Sequence, residues 1–137
     1  EGIISVDTVS NEKSPAYAHF DALFQKASGK PASTNIYAAM AYDMVISLAL
    51  AMEAAGPGAS IEQINARIRD VSNAPGTAVG SFAEGKALLA KKGKVNYEGA
   101  SSKLDFDKFG DATPDFGVYV IEKGQLVRRD VVSISAT

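Results

Sequence analysis

The sequence contains no cysteine, so it forms no disulfide, offers no thiolate to a metal and has no cysteine nucleophile. Its single histidine is His19. A Ser-His-Asp triad or a histidine-built metal site would have to use that residue. His19 lies in an ordinary amphipathic stretch, residues 15–26, where a surface or packing role is the simpler assignment. Basic excess is also missing. The formal net charge is -2, which argues against a nucleic-acid partner. No long apolar run is unbroken. The most apolar stretch, residues 36–55, is interrupted by Asp43 and Glu53, both costly in a bilayer, so no membrane span is expected. The chain begins without Met, at Glu1, beside a strand-like run and with no signal-peptide pattern. The expectation is a truncated or processed chain.

What remains is the composition of a folded domain. There are 137 residues, 46% hydrophobic and 22% charged, enough for a real core. Residues 2–9 alternate branched and polar side chains (Ile3, Ile4, Val6, Val9), which predicts a strand. Ser14-Pro15 marks a helix start, and Tyr17, Phe20, Leu23 and Phe24 then recur at helical spacing. Ser28-Gly29-Lys30-Pro31 ends that helix. Residues 35–55, free of Gly and Pro, form the strongest predicted helix. Ile36, Met40, Met44, Val45, Leu48 and Met52 cover most of its circumference, so it should be buried on more than one side. Gly56-Pro57-Gly58 stops it, and Ser60 caps a third helix over 61–71. Residues 73–80 read as a loop and 82–92 as a short helix with Leu88 and Leu89 buried. A strand or extended piece is expected at 104–106, then a turn at 108–111. Strands at 116–122 and 125–134 are joined by Lys123-Gly124, a hairpin signal.

The fold class is therefore α/β. The central helices carry more apolar surface than the predicted strands can cover, and the βαβ units of a parallel sheet are mostly missing. Part of the sheet is expected elsewhere, in further sequence or in a second copy of the chain.

Several segments carry a resemblance. They are Tyr37-Ala38-Ala39-Met40-Ala41-Tyr42-Asp43 with Leu48 and Ala54-Ala55-Gly56, then residues 64–71 with Ser72-Asn73-Ala74-Pro75-Gly76. Asn96-Tyr97-Glu98-Gly99-Ala100-Ser101, Asp105-Phe106-Asp107, Gly110-Asp111, Phe116-Gly117-Val118-Tyr119 and Lys123-Gly124 follow in order. Together they resemble the C-terminal part of type I periplasmic solute-binding proteins, in particular those that bind branched-chain and related amino acids for ABC importers. The resemblance spans essentially the whole chain, while family members are much longer. It implies a fragment of a two-lobed α/β fold, with a parallel sheet flanked by helices and a C-terminal hairpin. Residues 1–10 would be a strand of the second lobe and a crossing, 11–95 mainly first-lobe helices, and 96–137 the C-terminal strands.

The resemblance also implies a function. The intact protein would capture an amino acid or related small carboxylate in the cleft between lobes and deliver it to an ABC permease. Its location would be periplasmic, or that of an extracytoplasmic lipoprotein. The alternative is a sensor, the ligand-binding domain of a receptor or regulator. No enzyme activity, cofactor or metal is expected.

Tyr37 leads the candidate ligand-binding residues, because the matching family position can present an aromatic ring to the solute. Tyr42 follows. The competing and weightier assignment is that both pack the buried helix. Asp7 and Thr8 follow the first strand, where ligands of open α/β sheets gather, although a solvated loop is the plainer reading. Asp43, inside an apolar helix, needs a partner if buried, and a structural role is favoured. Asp105, Asp107 and Asp111 open like a calcium loop, but Phe109 occupies a ligand position and the twelfth residue is Phe116, not Glu. The same aspartates lack a nearby nucleophile for acid–base work. Gly76-Thr77-Ala78-Val79-Gly80 lacks the Lys-Ser/Thr of a phosphate loop, and Arg128-Arg129 read as a solvated edge. Most of the solute's contacts are expected outside this chain, which should bind little ligand alone. Its uncovered apolar helix should make it self-associate.

Overall fold

The structure is a computed structural model, and it describes residues 1–133. The end of the last expected strand, at Ile134, lies outside them. Strand β1 (Ile4–Val9) opens the chain. Helix α1 (Pro15–Ser28) begins where the Ser14 hydroxyl accepts the Tyr17 amide, and it stops at Gly29, whose φ of 72° suits glycine. A 3-10 turn (Ala32–Thr34) leads to α2 (Ala38–Ala55). Helix α3 (Ile61–Ser72) starts with a reciprocal capping box between Ser60 and Gln63. Strand β2 (Thr77–Val79), helix α4 (Phe82–Ala90) and strand β3 (Val95–Tyr97) follow. Strands β4 (Asp115–Glu122) and β5 (Gln125–Val132) close the chain.

The strands form two sheets. In the first, β1 pairs antiparallel with β4, Ile4 opposite Val120, and β4 pairs antiparallel with β5. Lys123 and Gly124, both at positive φ, make the two-residue turn a tight hairpin requires. In the second, β2 and β3 run parallel, joined through α4. The chain is thus α/β, with a parallel pair flanked by helices and a C-terminal hairpin.

The main core lies between the helices and the parallel pair. Leu50 and Ala51 of α2 meet Val71 of α3, Val79 of β2, Val95 and Tyr97 of β3, and Leu104. Gly85 lets α4 approach α2, since a Cβ there would strike the Leu50 side chain. A second cluster joins Tyr17 and Phe20 of α1 to Ala32, Ala39 and Ala100.

Three expectations need correction. The loop expected at 73–80 contains β2, a strand too short for its alternation to show. With it comes one complete parallel βαβ unit. Of the strand or extended piece expected at 104–106, the strand is not formed. There the Asn73 side chain takes the place of a partner strand: its Nδ2 donates to the Phe106 carbonyl at 2.7 Å and its Oδ1 accepts the Phe106 amide at 3.1 Å. Finally, α2 starts at Ala38 rather than 35, because the Asn35 side chain accepts the Tyr37 amide and holds that stretch as a turn.

One face of α2 is uncovered. Met44 is 69% exposed and Val45 65%, with Leu48 and Met52 about half exposed. By length and composition alone this helix could cross a membrane. Its Asp43, however, is 1% exposed and anchored to the protein by four hydrogen bonds.

Candidate functional site

Helix α2 positions the site from both of its faces. On the buried face, Asp43 Oδ1 accepts the Tyr97 hydroxyl and the Ala100 amide, each at 2.8 Å. Its Oδ2 accepts the Ser101 amide at 2.7 Å and the Ser101 hydroxyl at 2.6 Å. Four donors replace the water the carboxylate lost on burial. Gly99 allows this approach, because a Cβ there would collide with Asp43 Oδ2. The loop at 99–103 is thereby clamped to α2, and two concavities flank it.

The first is an apolar groove of about 460 Å³ between Met40, Met44 and Leu48 of α2, Ile68, Leu104 and Phe106, with Thr8, Ser47 and Ser102 also on its walls. The second is a cavity of about 430 Å³ beyond the carboxyl ends of β2 and β3, bounded by Ser14, His19, Gly80, Glu84, Glu98 and Lys103. His19 is exposed on that rim.

The candidate residues divide. Asp7 and Tyr37, thirty positions apart, come together: the Tyr37 hydroxyl lies 3.5 Å from Asp7 Oδ2, at the limit of a hydrogen bond. Asp7 Oδ1 accepts the Thr8 amide at 2.8 Å, which fixes the carboxylate. Tyr37 is 58% exposed, so it does not pack the core. It sits at the N-terminal end of α2, just before Ala38. Thr8 lines the groove itself.

Tyr42 lies apart from this pair. Its ring packs on Phe20, centroids 5.0 Å apart, in the second core cluster. Burial, with a smaller contribution from the Asp43 charge, raises its phenol pKa. Tyr37 precedes the first residue of α2, whereas Tyr42, five positions on, lies within the helix and turns to Phe20 of α1.

The acidic turn is a structural device. Asp107 Oδ1 accepts the amides of Phe109, Gly110 and Asp111, at 2.8, 2.9 and 3.0 Å. These bonds, that of Asp111 foremost, hold its carboxyl below the usual range. Asp105 Oδ1 accepts the Ala74 amide at 2.9 Å. Among the described residues, no group of three or more His, Asp or Glu side chains is placed to hold a metal. Arg128 reaches Glu12 at 3.5 Å, and Arg129 pairs with Glu122 across the hairpin, so both are partnered surface cations.

Two polar residues at the site were missed in the sequence, Ser47 and Ser102. Ser47 follows Asp43 by one helical turn, so it shares the buried face, and that spacing was the available signal. Nothing in the sequence marked Ser102.

The Asp7–Tyr37 pair, the groove and the cavity are the concavities and polar pairings the fold presents. Residues 1–123 match the receptor family ligand binding region, and the chain belongs to that family, the type I periplasmic-binding-protein fold. A solved structure of a leucine-binding protein from Thermotoga maritima superposes with a TM-score of 0.63 at 21% identity, over 97% of this chain. The chain spans 31% of that protein's length. No curated protein matches the sequence.

Proposed function

We propose that this chain is part of an extracytoplasmic solute-binding protein that captures an amino acid or related small carboxylate and passes it to an ABC permease. The observation that carries this is the Asp7–Tyr37 pair. A fixed carboxylate can hold an ammonium group, and the exposed ring beside it can cover the solute's carbon skeleton. Thr8 adds a hydroxyl next to them. The structural relative named as a leucine-binding protein supports an amino-acid ligand.

In this reading β1, β4 and β5 belong to the second lobe and the helical body to the first. Tyr37 and Asp7 then face each other across the crossing between lobes, where closure on a solute would act. The separation of the two sheets supports that division. The location is periplasmic. The outward side of α2, with Val45 and Met52, is the surface through which the isolated chain self-associates.

A sensor built on the same fold is the second reading, favoured by the family's description as a receptor ligand-binding region. The two are separated by binding partner. A transport protein binds a permease in its closed, loaded form, whereas a sensor is linked to a signalling domain. The amino-acid reading itself is tested by calorimetry with free amino acids on Asp7→Asn and Tyr37→Ala variants of a protein that carries the whole family fold. Unchanged affinity in both variants removes it.

A further inference from the structure

Tyr37 occupies the N-cap position of α2, yet its own side chain caps nothing. The hydroxyl reaches Asp7 instead. The ring has little else to hold it. Tyr37 is 58% exposed and belongs to neither core cluster. Its backbone, by contrast, is tied to the buried body of the protein. The Asp21 carboxylate of α1 accepts the Ala32 amide at 2.6 Å, and Ala32 is buried. The 3-10 turn follows, and the Asn35 amide donates to the Ala32 carbonyl at 2.9 Å. The Asn35 side chain makes the last link, its Oδ1 accepting the Tyr37 amide at 3.1 Å. A strap of hydrogen bonds thus runs from α1 to Tyr37, and every residue in it belongs to this chain.

We propose that Asn35 is a positioning residue, which acts through the Tyr37 backbone to hold the ring against Asp7. Its consequence for solute binding rests on the reading above, in which that pair meets an amino acid. An exposed ring on a loosened backbone samples many positions, and only the fraction in place is competent to bind. The bond from Asn35 uses only its acceptor oxygen, which an aspartate also carries. Asn35 is exposed, so the charge of an aspartate there stays in water. Alanine offers no acceptor.

The test uses a polypeptide that carries the whole two-lobed fold. In calorimetry with free amino acids, Asn35→Ala should weaken binding roughly threefold to fivefold, the value of one hydrogen bond. Asn35→Asp should bind as the parent does. In a Tyr37→Ala background, Asn35→Ala should weaken nothing further, because its effect passes through the ring. The contact is also read without a solute. With the aspartate carboxyl carbons labelled with carbon-13, Tyr37→Phe should shift the Asp7 signal. Asn35→Ala should shift it in the same direction, and Asn35→Asp should leave it in place. The signal of buried Asp43 in the same spectra shows whether each variant is folded. The proposal is overturned if Asn35→Ala leaves the Asp7 signal unmoved, if it weakens binding equally with and without the Tyr37 ring, or if Asn35→Asp behaves as Asn35→Ala does. An Asp7 signal that follows Asn35 as expected, with parental affinity in Tyr37→Ala, sustains the positioning role and removes the amino-acid reading instead.

Discussion

The Tyr97 hydroxyl donates to Asp43 Oδ1 at 2.8 Å, and neither residue is more than 1% exposed. This pair joins the middle of α2 to the end of β3. The adjoining loop at 99–103 hangs from the same carboxylate, so the shapes of the groove and of the cavity both depend on it.

Removal of that carboxylate should be severe. Asp43→Ala leaves the Tyr97 hydroxyl and the Ala100 and Ser101 amides without their acceptor. Each lost partner of a charged, buried acceptor is costly, so urea unfolding should show a loss of about 3 kcal/mol or more. A loss below about 1 kcal/mol would mean that water or a neighbour replaces the carboxylate.

Alkali should also act through this pair. Burial first, then the Asp43 charge and its hydrogen bond, hold the Tyr97 phenol far above its ordinary value. A group whose folded pKa is raised contributes stability that is complete below its unfolded pKa, about 10 for tyrosine, and is lost as pH rises beyond it. Unfolding followed from pH 8 to 11 should show stability falling above pH 10. Tyr97→Phe should flatten that fall, with Tyr17 and Tyr42 accounting for the remainder. An unchanged slope in the variant would separate Tyr97 from the effect.

Acid should act through the turn that Asp107 organises. Its folded pKa is lowered, so its contribution is present above the unfolded carboxylate value and is lost as pH falls through the folded one. Asp107→Asn should loosen residues 107–111 at neutral pH and remove their acid response. Amide exchange of Phe109, Gly110 and Asp111 between pH 5 and 3 reads this directly. Equal protection in both proteins at pH 5 would show that the amides do not rely on the carboxylate.

Association should follow the outward side of α2. Sedimentation should show a concentration-dependent mass for the 137-residue chain, and Val45→Lys with Met52→Lys should shift it towards monomer. A stable monomer at high concentration for the unaltered chain would contradict this.

Much of the fold was legible because its punctuation is local. Ser14-Pro15, Ser60 with Gln63, and Lys123-Gly124 each mark an element's end by a bond or dihedral made within a few residues. The parallel pair was not legible. β2 and β3 have three residues each, and their pairing depends on a crossover rather than on pattern. At 104–106 a short run of β-formers pointed to a strand or extended piece, but the partner is an asparagine side chain distant in sequence. The candidate site shows the same division. That Asp43 needed a partner could be read from its apolar helix, whereas its donors, 54 to 58 positions away, could not. Asp7 and Tyr37 were chosen on separate grounds, and only the fold shows that they adjoin. Tyr42 ranked behind Tyr37 in the same resembling segment, with packing the weightier assignment, and its ring does pack on Phe20.

The central claim is that Asp7 and Tyr37 together supply part of an amino-acid site. Its most direct test is calorimetric titration of free amino acids into a polypeptide that joins this chain to the rest of the two-lobed fold, compared with its Asp7→Asn and Tyr37→Ala variants. Both variants should bind at least about tenfold more weakly, the loss expected for a charge-assisted hydrogen bond or a covering ring, and the isolated 137-residue chain should show no tight binding. Wild-type affinity in both variants, or tight binding by the isolated chain, would contradict the account.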